Sequence, residues 1–169
     1  MKQVRHVAFL GIMLAVILVL SWFEFVISSL LLMPPHMKLG LANIVTMYCV
    51  IFISKKSGVT LNILKSVFVF MTRGPLAGLL SFSGGMLSIG IIILLVIIFS
   101  DKVSYIALSI AGAVLHNLGQ LGAMMPIFGG FVLLGYLPVM LVSGVIAGVL
   151  TGILLKVTLP VFNSINFQR

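Results

Sequence analysis

Acidic residues are nearly absent from this sequence, and cysteine occurs once. Glu24 and Asp101 are the two acidic residues among 169, so we expect no carboxylate cluster of the kind that holds magnesium pyrophosphate. Cys49 alone excludes an internal disulfide and a cysteine cluster for metal or iron–sulfur binding. The ATP-binding pattern G-x-x-x-x-G-K-S/T and the usual serine or cysteine nucleophile motifs are also missing. We therefore expect a protein that is not an enzyme and that uses no cofactor.

Apolar residues make up 62% of the chain, and the mean hydropathy is +1.36. This is far more than a soluble core requires, so the composition predicts an integral membrane protein. A helix needs roughly 20 apolar residues to cross a hydrocarbon layer about 30 Å thick. Six apolar runs are candidates for such helices: 7–32, 37–54, 59–80, 84–100, 103–124 and 133–157. The sequence therefore predicts one all-α domain over residues 1–169, a six-transmembrane-helix bundle.

The ten basic residues indicate an orientation for this bundle. If the N-terminus is cytoplasmic, the external segments contain only Lys38, and Lys65 and Arg73 fall inside the third run. The other seven lie on the cytoplasmic side: Lys2, Arg5, Lys55, Lys56, Lys102, Lys156 and Arg169. This bias predicts that both termini are cytoplasmic, and it explains the net charge of +8 better than nucleic-acid binding does.

Polar side chains within the apolar runs carry the functional information, because each is costly in hydrocarbon. With the orientation above, most of them fall at one depth, toward the outside. We expect these residues to line a ligand-binding pocket: Glu24, Lys38, Asn43, Arg73, His116, Asn117 and Gln120. Arg73 and Lys38 would attract an anionic or carboxylate-bearing ligand, and the amides and imidazole would orient it.

Each of these residues also has a structural alternative. Glu24 is as well suited to an internal ion pair with Arg73 as to ligand contact, and Arg73 could instead snorkel to the outer head groups. Inter-helix hydrogen bonds could account for the His116 cluster. For Lys65, which the sequence places near the inner third of its span, snorkelling or inter-helix bonding is the preferred interpretation.

Small residues form two further patterns, because close approach of helices in lipid favours glycine and alanine. Gly144, Gly148 and Gly152 form a ridge on the last run, which we interpret as internal packing. On the first run, a small-residue face opposite Glu24 is a candidate docking surface for another membrane protein: Ala8, Gly11 and Ala15.

Three sequence blocks resemble those of a small bacterial membrane family called Gx transporters, also labelled heptaprenyl diphosphate synthase component I. They are KLGLAN at 38–43, LSFSGGMLS at 80–88 and GAVLHNLGQ at 112–120. The family is similar to the substrate-binding S components of energy-coupling-factor (ECF) importers. That resemblance implies a six-helix bundle with an extracellular-side pocket, which docks through helix one onto a membrane coupler driven by two ATPases.

Two functional hypotheses follow, besides a purely structural assembly role. The first is a binding subunit, in contact with membrane lipid, for uptake of a small vitamin-like, isoprenoid or quinone-related molecule. The second is a non-catalytic membrane partner in isoprenoid or quinone biosynthesis, or in membrane electron transfer, which would explain the synthase label.

Overall fold

The structure is a computed structural model that describes residues 2–30, 40–99 and 102–165. The described chain is helical. Its elements are α1 (Lys2–Leu30), α2 (Leu41–Tyr48), a π-helical turn (Cys49–Ile53), α3 (Lys55–Arg73), α4 (Pro75–Phe99), α5 (Tyr105–Phe128), the short α6 (Gly130–Leu134) and α7 (Leu137–Ile165).

Four of these helices, α1, α4, α5 and α7, are long and apolar enough to cross a membrane. The prediction of an all-helical, multi-pass membrane protein is therefore confirmed. The prediction of six spanning helices is supported only in part. The apolar helix over 41–53 is short, and α3 does not belong to the long apolar group.

The boundary between the third and fourth predicted spans is wrong. The sequence placed spans at 59–80 and 84–100, whereas α3 ends at Arg73 and α4 begins at Pro75. Gly74 separates them with a φ of 89°, a backbone conformation that glycine adopts readily. Proline suits the first position of a helix, because an N–H group there would have no acceptor within the helix and its loss costs nothing. Hydropathy did not reveal this break, because the residues after it are again mostly apolar.

Helix α2 begins inside the bundle rather than at its edge. A Cβ atom built on Gly40, just before α2, would lie 3.4 Å from Cγ2 of Thr151, near the middle of α7. From there α2 and the π-helical turn run 13 residues, or about 20 Å at 1.5 Å per residue. The start of α2 is therefore available to line an internal pocket.

Helix α5 packs closely against α7 through the glycine ridge. The sequence predicted internal packing for this ridge but not its partner helix. A Cβ on Gly152 would lie 2.8 Å from the Ile106 Cα, and one on Gly148 would collide with the Ile110 backbone. On its other side α5 packs on α4, where a Cβ on Gly119 would lie 2.8 Å from the Ser83 carbonyl oxygen. These contacts fix α5 between its two neighbours.

The first half of α1 and the helix over 41–53 contribute side chains to an apolar core. Its completely buried side chains include Met13, Ile17, Tyr48 and Leu155. This core holds α1 against α2 and leaves the polar end of α1, around Glu24, facing a separate polar hollow.

Candidate functional site: a polar pocket within the helical bundle

A pocket of about 500 Å³, counting its open mouth, lies between α1, the start of α2, α3 and α5, with contributions from α4 and α7. Polar side chains dominate its lining. They are Ser21, Glu24, Asn43, Lys65, Arg73, Ser81, His116 and Asn117. Most other side chains in these helices are apolar, so this concentration of polar groups is the distinguishing feature of the bundle.

Glu24 joins α1 to the beginning of α2. Its carboxylate is 5% exposed and accepts a hydrogen bond from the Gly40 backbone N–H through Oε1. Gly40 has a φ of 77°, which a residue with a side chain rarely adopts. A carboxylate at this position also interacts favourably with the N-terminal end of the helix dipole. Glu24 therefore has a structural role at the pocket wall, whatever else it binds.

Arg73 is held at the pocket by the last part of α1. Its Nη2 donates to the Ser21 carbonyl oxygen at 2.5 Å and to Ser21 Oγ at 3.4 Å. The guanidinium carbon lies 4.5 Å from the centre of the Phe25 ring, a cation–π contact. The Glu24 carboxylate adds a favourable electrostatic interaction with Arg73. These contacts orient the guanidinium and hold it at the rim of the hollow.

Lys65 is a pocket residue that the sequence did not include in the proposed site. It is 7% exposed, and its Nζ donates to Asn43 Oδ1 at 2.9 Å, which links α3 to α2. The predicted inter-helix bond is therefore present, and the ammonium also lines the hollow. Its position eight residues before Arg73 was the available signal, because that spacing puts the two side chains about 80° apart around the helix, within one broad stripe.

His116 and Gln120 are one turn apart on α5, and their Nε2 atoms are 3.3 Å from each other. His116 lines the pocket, whereas Gln120, which is 2% exposed, lies outside the set of lining residues. Gly84 of α4 makes room for both, since a Cβ there would lie 2.9 Å from Gln120 Cγ and 3.0 Å from His116 Cε1. Gln120 therefore supports His116 from behind the pocket wall.

Asn117 both lines the pocket and connects α5 to α7. Its Nδ2 donates to the Met140 carbonyl oxygen at 2.8 Å and to Ser143 Oγ at 3.3 Å. The amide donor of Asn117 therefore forms inter-helix hydrogen bonds, which was the structural alternative given for the His116 cluster.

The structure brings five of the seven proposed site residues around one hollow: Glu24, Asn43, Arg73, His116 and Asn117. Gln120 lies behind this wall, and Lys38 lies outside the described residues. Ligand binding by any of them stays a prediction.

The small-residue face of α1 points away from the bundle. Ala8, Gly11 and Ala15 are all exposed, and a Cβ built on Gly11 would meet nothing within 4 Å. Ser21 and Glu24, in contrast, are buried toward the pocket. The inner face of α1 is therefore apolar at Met13 and Ile17 and polar at Ser21 and Glu24, and its outer face carries the small residues. Whether a partner binds the outer face stays a prediction.

The charges of the pocket favour an anion. Two basic side chains, Lys65 and Arg73, surround the hollow together with the single carboxylate of Glu24. Within residues 2–30, 40–99 and 102–165, no three His, Cys, Asp or Glu side chains are grouped as a metal site. The arrangement is suited to binding a negatively charged group and to orienting it through amide, imidazole and hydroxyl groups.

Comparison with known proteins identifies a family for this chain. No curated protein and no solved structure matches the chain. The model of the family described as heptaprenyl diphosphate synthase component I matches residues 13–158, which include all the described residues that line the pocket. This match confirms the family expected from the three sequence blocks; the likeness to ECF S components is not part of it. The chain belongs to the heptaprenyl diphosphate synthase component I family.

Proposed function

We propose that this protein is a membrane-embedded binding subunit for a small anionic molecule, which it takes up with the help of partner proteins. One observation carries the proposal: buried polar groups from several helices surround a single hollow in an otherwise apolar bundle. Placing a lysine, a glutamate and amide side chains within a membrane bundle is costly, and such residues usually mark a pathway or binding site.

The ligand class follows from the charges. Lys65 and Arg73 together outweigh Glu24, so the pocket has a net formal charge of +1 from these three side chains. A carboxylate or phosphate would balance this charge, and His116 and Asn43 would orient it. A vitamin-like, isoprenoid or quinone-related molecule with one such group would match the charge of the pocket.

In this proposal partner proteins hydrolyse the ATP that drives uptake, since the sequence contains no nucleotide-binding loop of the G-x-x-x-x-G-K-S/T type. In this proposal the chain itself is non-catalytic. The outer face of α1, formed by Ala8, Gly11 and Ala15, would pack against a membrane coupler of the ECF type that works with an ATPase pair. Small residues suit that role, because they let two helix backbones approach closely in lipid.

Affinity purification from the native membrane tests this function. The tagged wild-type protein should retain a membrane coupler and two ATPases, and Gly11→Leu should lose them because the leucine holds the partner helix away. Gly90→Leu is the matched control: Gly90 is also exposed within a long helix, and a Cβ there would meet nothing within 4 Å. Recovery of the wild-type protein alone in mild detergent would contradict the proposal.

A second function is favoured by the description of the family, which names a synthase component. In that case the protein would be a non-catalytic membrane partner of a soluble enzyme in isoprenoid or quinone biosynthesis, or a component of membrane electron transfer. The same purification separates the alternatives, because it would then retain a prenyl-transferring or redox enzyme in place of ATPases.

A further inference from the structure

A second hollow adjoins the polar pocket and is not used by the site described above. It lies between α2, α4, α5 and α7, and the free space along its walls and at its openings is about 300 Å³. Three residues, Gly40, Asn43 and Ala113, line both hollows. We call the polar pocket described above the upper chamber and this second hollow the lower chamber. Because they share part of their walls, the two chambers are direct neighbours.

The walls of the lower chamber differ from those of the upper chamber. Ile44, Met47 and Ile92 supply apolar surface, and no Lys, Arg, Asp or Glu is among the described residues that line it. Gly112 lets α5 approach α4 closely at this wall, since a Cβ there would lie 2.9 Å from Ile92 Cδ1 and 3.1 Å from Ser88 Oγ. The lower chamber is therefore a narrow, mostly apolar extension of a charged site.

Two of the hydroxyl groups in the lower chamber already use their protons within the protein. Thr151 Oγ1 donates to the Ala147 carbonyl oxygen at 2.8 Å. Ser109 Oγ, 2.5 Å from Thr151 Oγ1, then acts as the donor of that pair. These groups have no remaining proton to donate to a ligand carbonyl or hydroxyl oxygen. This pattern favours a hydrocarbon part of the ligand at this position.

We propose that the two chambers together bind one water-soluble anionic amphiphile. Its carboxylate or phosphate lies in the upper chamber beside Lys65 and Arg73, and its slim apolar part extends into the lower chamber toward Ile92 and Met47. This inference rests on the proposed function and specifies its ligand class: a charged head with an apolar extension of limited length. The apolar extension, rather than the head alone, sets the affinity.

A series of straight-chain carboxylates, from acetate to octanoate, tests this proposal with the full-length protein in lipid nanodiscs. Empty nanodiscs measure the uptake by lipid alone. Affinity should rise about fourfold with each methylene, the factor that corresponds to about 0.8 kcal/mol per buried CH₂. The rise should stop within the series, when the lower chamber is full.

Two substitutions in the lower chamber should move this limit in opposite directions. Ser88→Leu places a larger apolar side chain in the wall of the lower chamber, so the rise should stop at a shorter chain while short carboxylates bind as before. Ile92→Val removes one methylene from the wall with little disturbance, so the limit should move to a longer chain. If Ser88→Leu does not fold, the shift of the limit in Ile92→Val still tests the proposal.

The possible outcomes separate this inference from the function on which it rests. Carboxylates that all bind equally, whatever their length, would overturn the lower-chamber assignment and leave the anion site intact. An affinity that rises up to octanoate without a limit in every variant would also overturn the lower-chamber assignment. Such a rise is the behaviour expected for partition of the carboxylate into lipid. Failure of every carboxylate to bind would refute the proposed function itself.

Discussion

At the scale of single residues, Lys65 has the largest effect on how the site is understood. The sequence placed it near the inner third of a span over 59–80, and this position favoured snorkelling or a structural bond. With α3 ending at Arg73, Lys65 lies near the middle of its helix and bonds Asn43 in the pocket. The basic side chain was visible in the sequence, but its depth depended on a helix boundary that hydropathy did not show.

Lys65→Met should weaken binding of a carboxylate probe about tenfold, because a hydrogen bond to a charged group contributes about 1.5–3 kcal/mol. Lys156→Met is the matched control, since it makes the same change at an exposed position on α7. Calorimetric titration in nanodiscs measures both. Equal affinities for the two variants would remove Lys65 from the site.

Substitution of Asn117 distinguishes a role in helix packing from a role in ligand binding. Asn117→Ala removes the hydrogen bond to the Met140 carbonyl oxygen, so the free energy of unfolding should fall by about 1 kcal/mol. Affinity for the carboxylate probe should change less than in Lys65→Met. Denaturant unfolding in mild detergent, with Ser143→Ala for comparison, gives the first quantity. Unchanged stability with complete loss of binding would show that its main role is ligand contact.

At the scale of helices, the side-chain pattern predicted which face of a helix is buried better than it predicted where the helix begins or ends. The stripe of Ser109, Gly112, His116 and Gln120 on α5 is buried throughout, because a spacing of three or four residues fixes one helix face. Helix ends depended on local backbone features instead. The positive φ of Gly74 and the start of α2 beside Thr151 are set by tertiary contacts that hydropathy does not report.

The glycine ridge of α7 gives a prediction at this scale. Gly148→Ala would place a Cβ against the Ile110 backbone, which cannot move aside as a side-chain end can. Overpacking of this kind typically costs about 1–3 kcal/mol, so the thermal midpoint in detergent should fall. Gly11→Ala is the control, because its Cβ would be in open space and alanine is a better helix former. Similar midpoints for both variants would contradict the close packing of α5 and α7.

At the scale of the whole molecule, the family and the helical membrane architecture follow from composition and three short motifs. The gathering of Glu24, Arg73 and His116 around one hollow was expected from their common depth, and the structure places them there. The lower chamber could not have been foreseen. It depends on where Gly40, Gly112 and Thr151 meet in three dimensions.

The orientation in the membrane is a prediction for the whole molecule. Because Cys49, the natural cysteine, is buried, single introduced cysteines can report exposure on each side. A membrane-impermeant thiol reagent added to intact cells should label Tyr136→Cys, beyond α6, and should not label Lys56→Cys, at the start of α3. The reverse pattern would place the basic ends of the helices outside and contradict the positive-inside assignment.

Native mass spectrometry of the protein purified from its own membrane tests the central claim most directly. The account predicts that the wild-type protein carries a small anionic molecule and that a Lys65→Met, Arg73→Gln double variant, folded to the same thermal midpoint, does not. If the wild type carries no such molecule, or if the double variant keeps it at the same occupancy, the pocket is not the binding site.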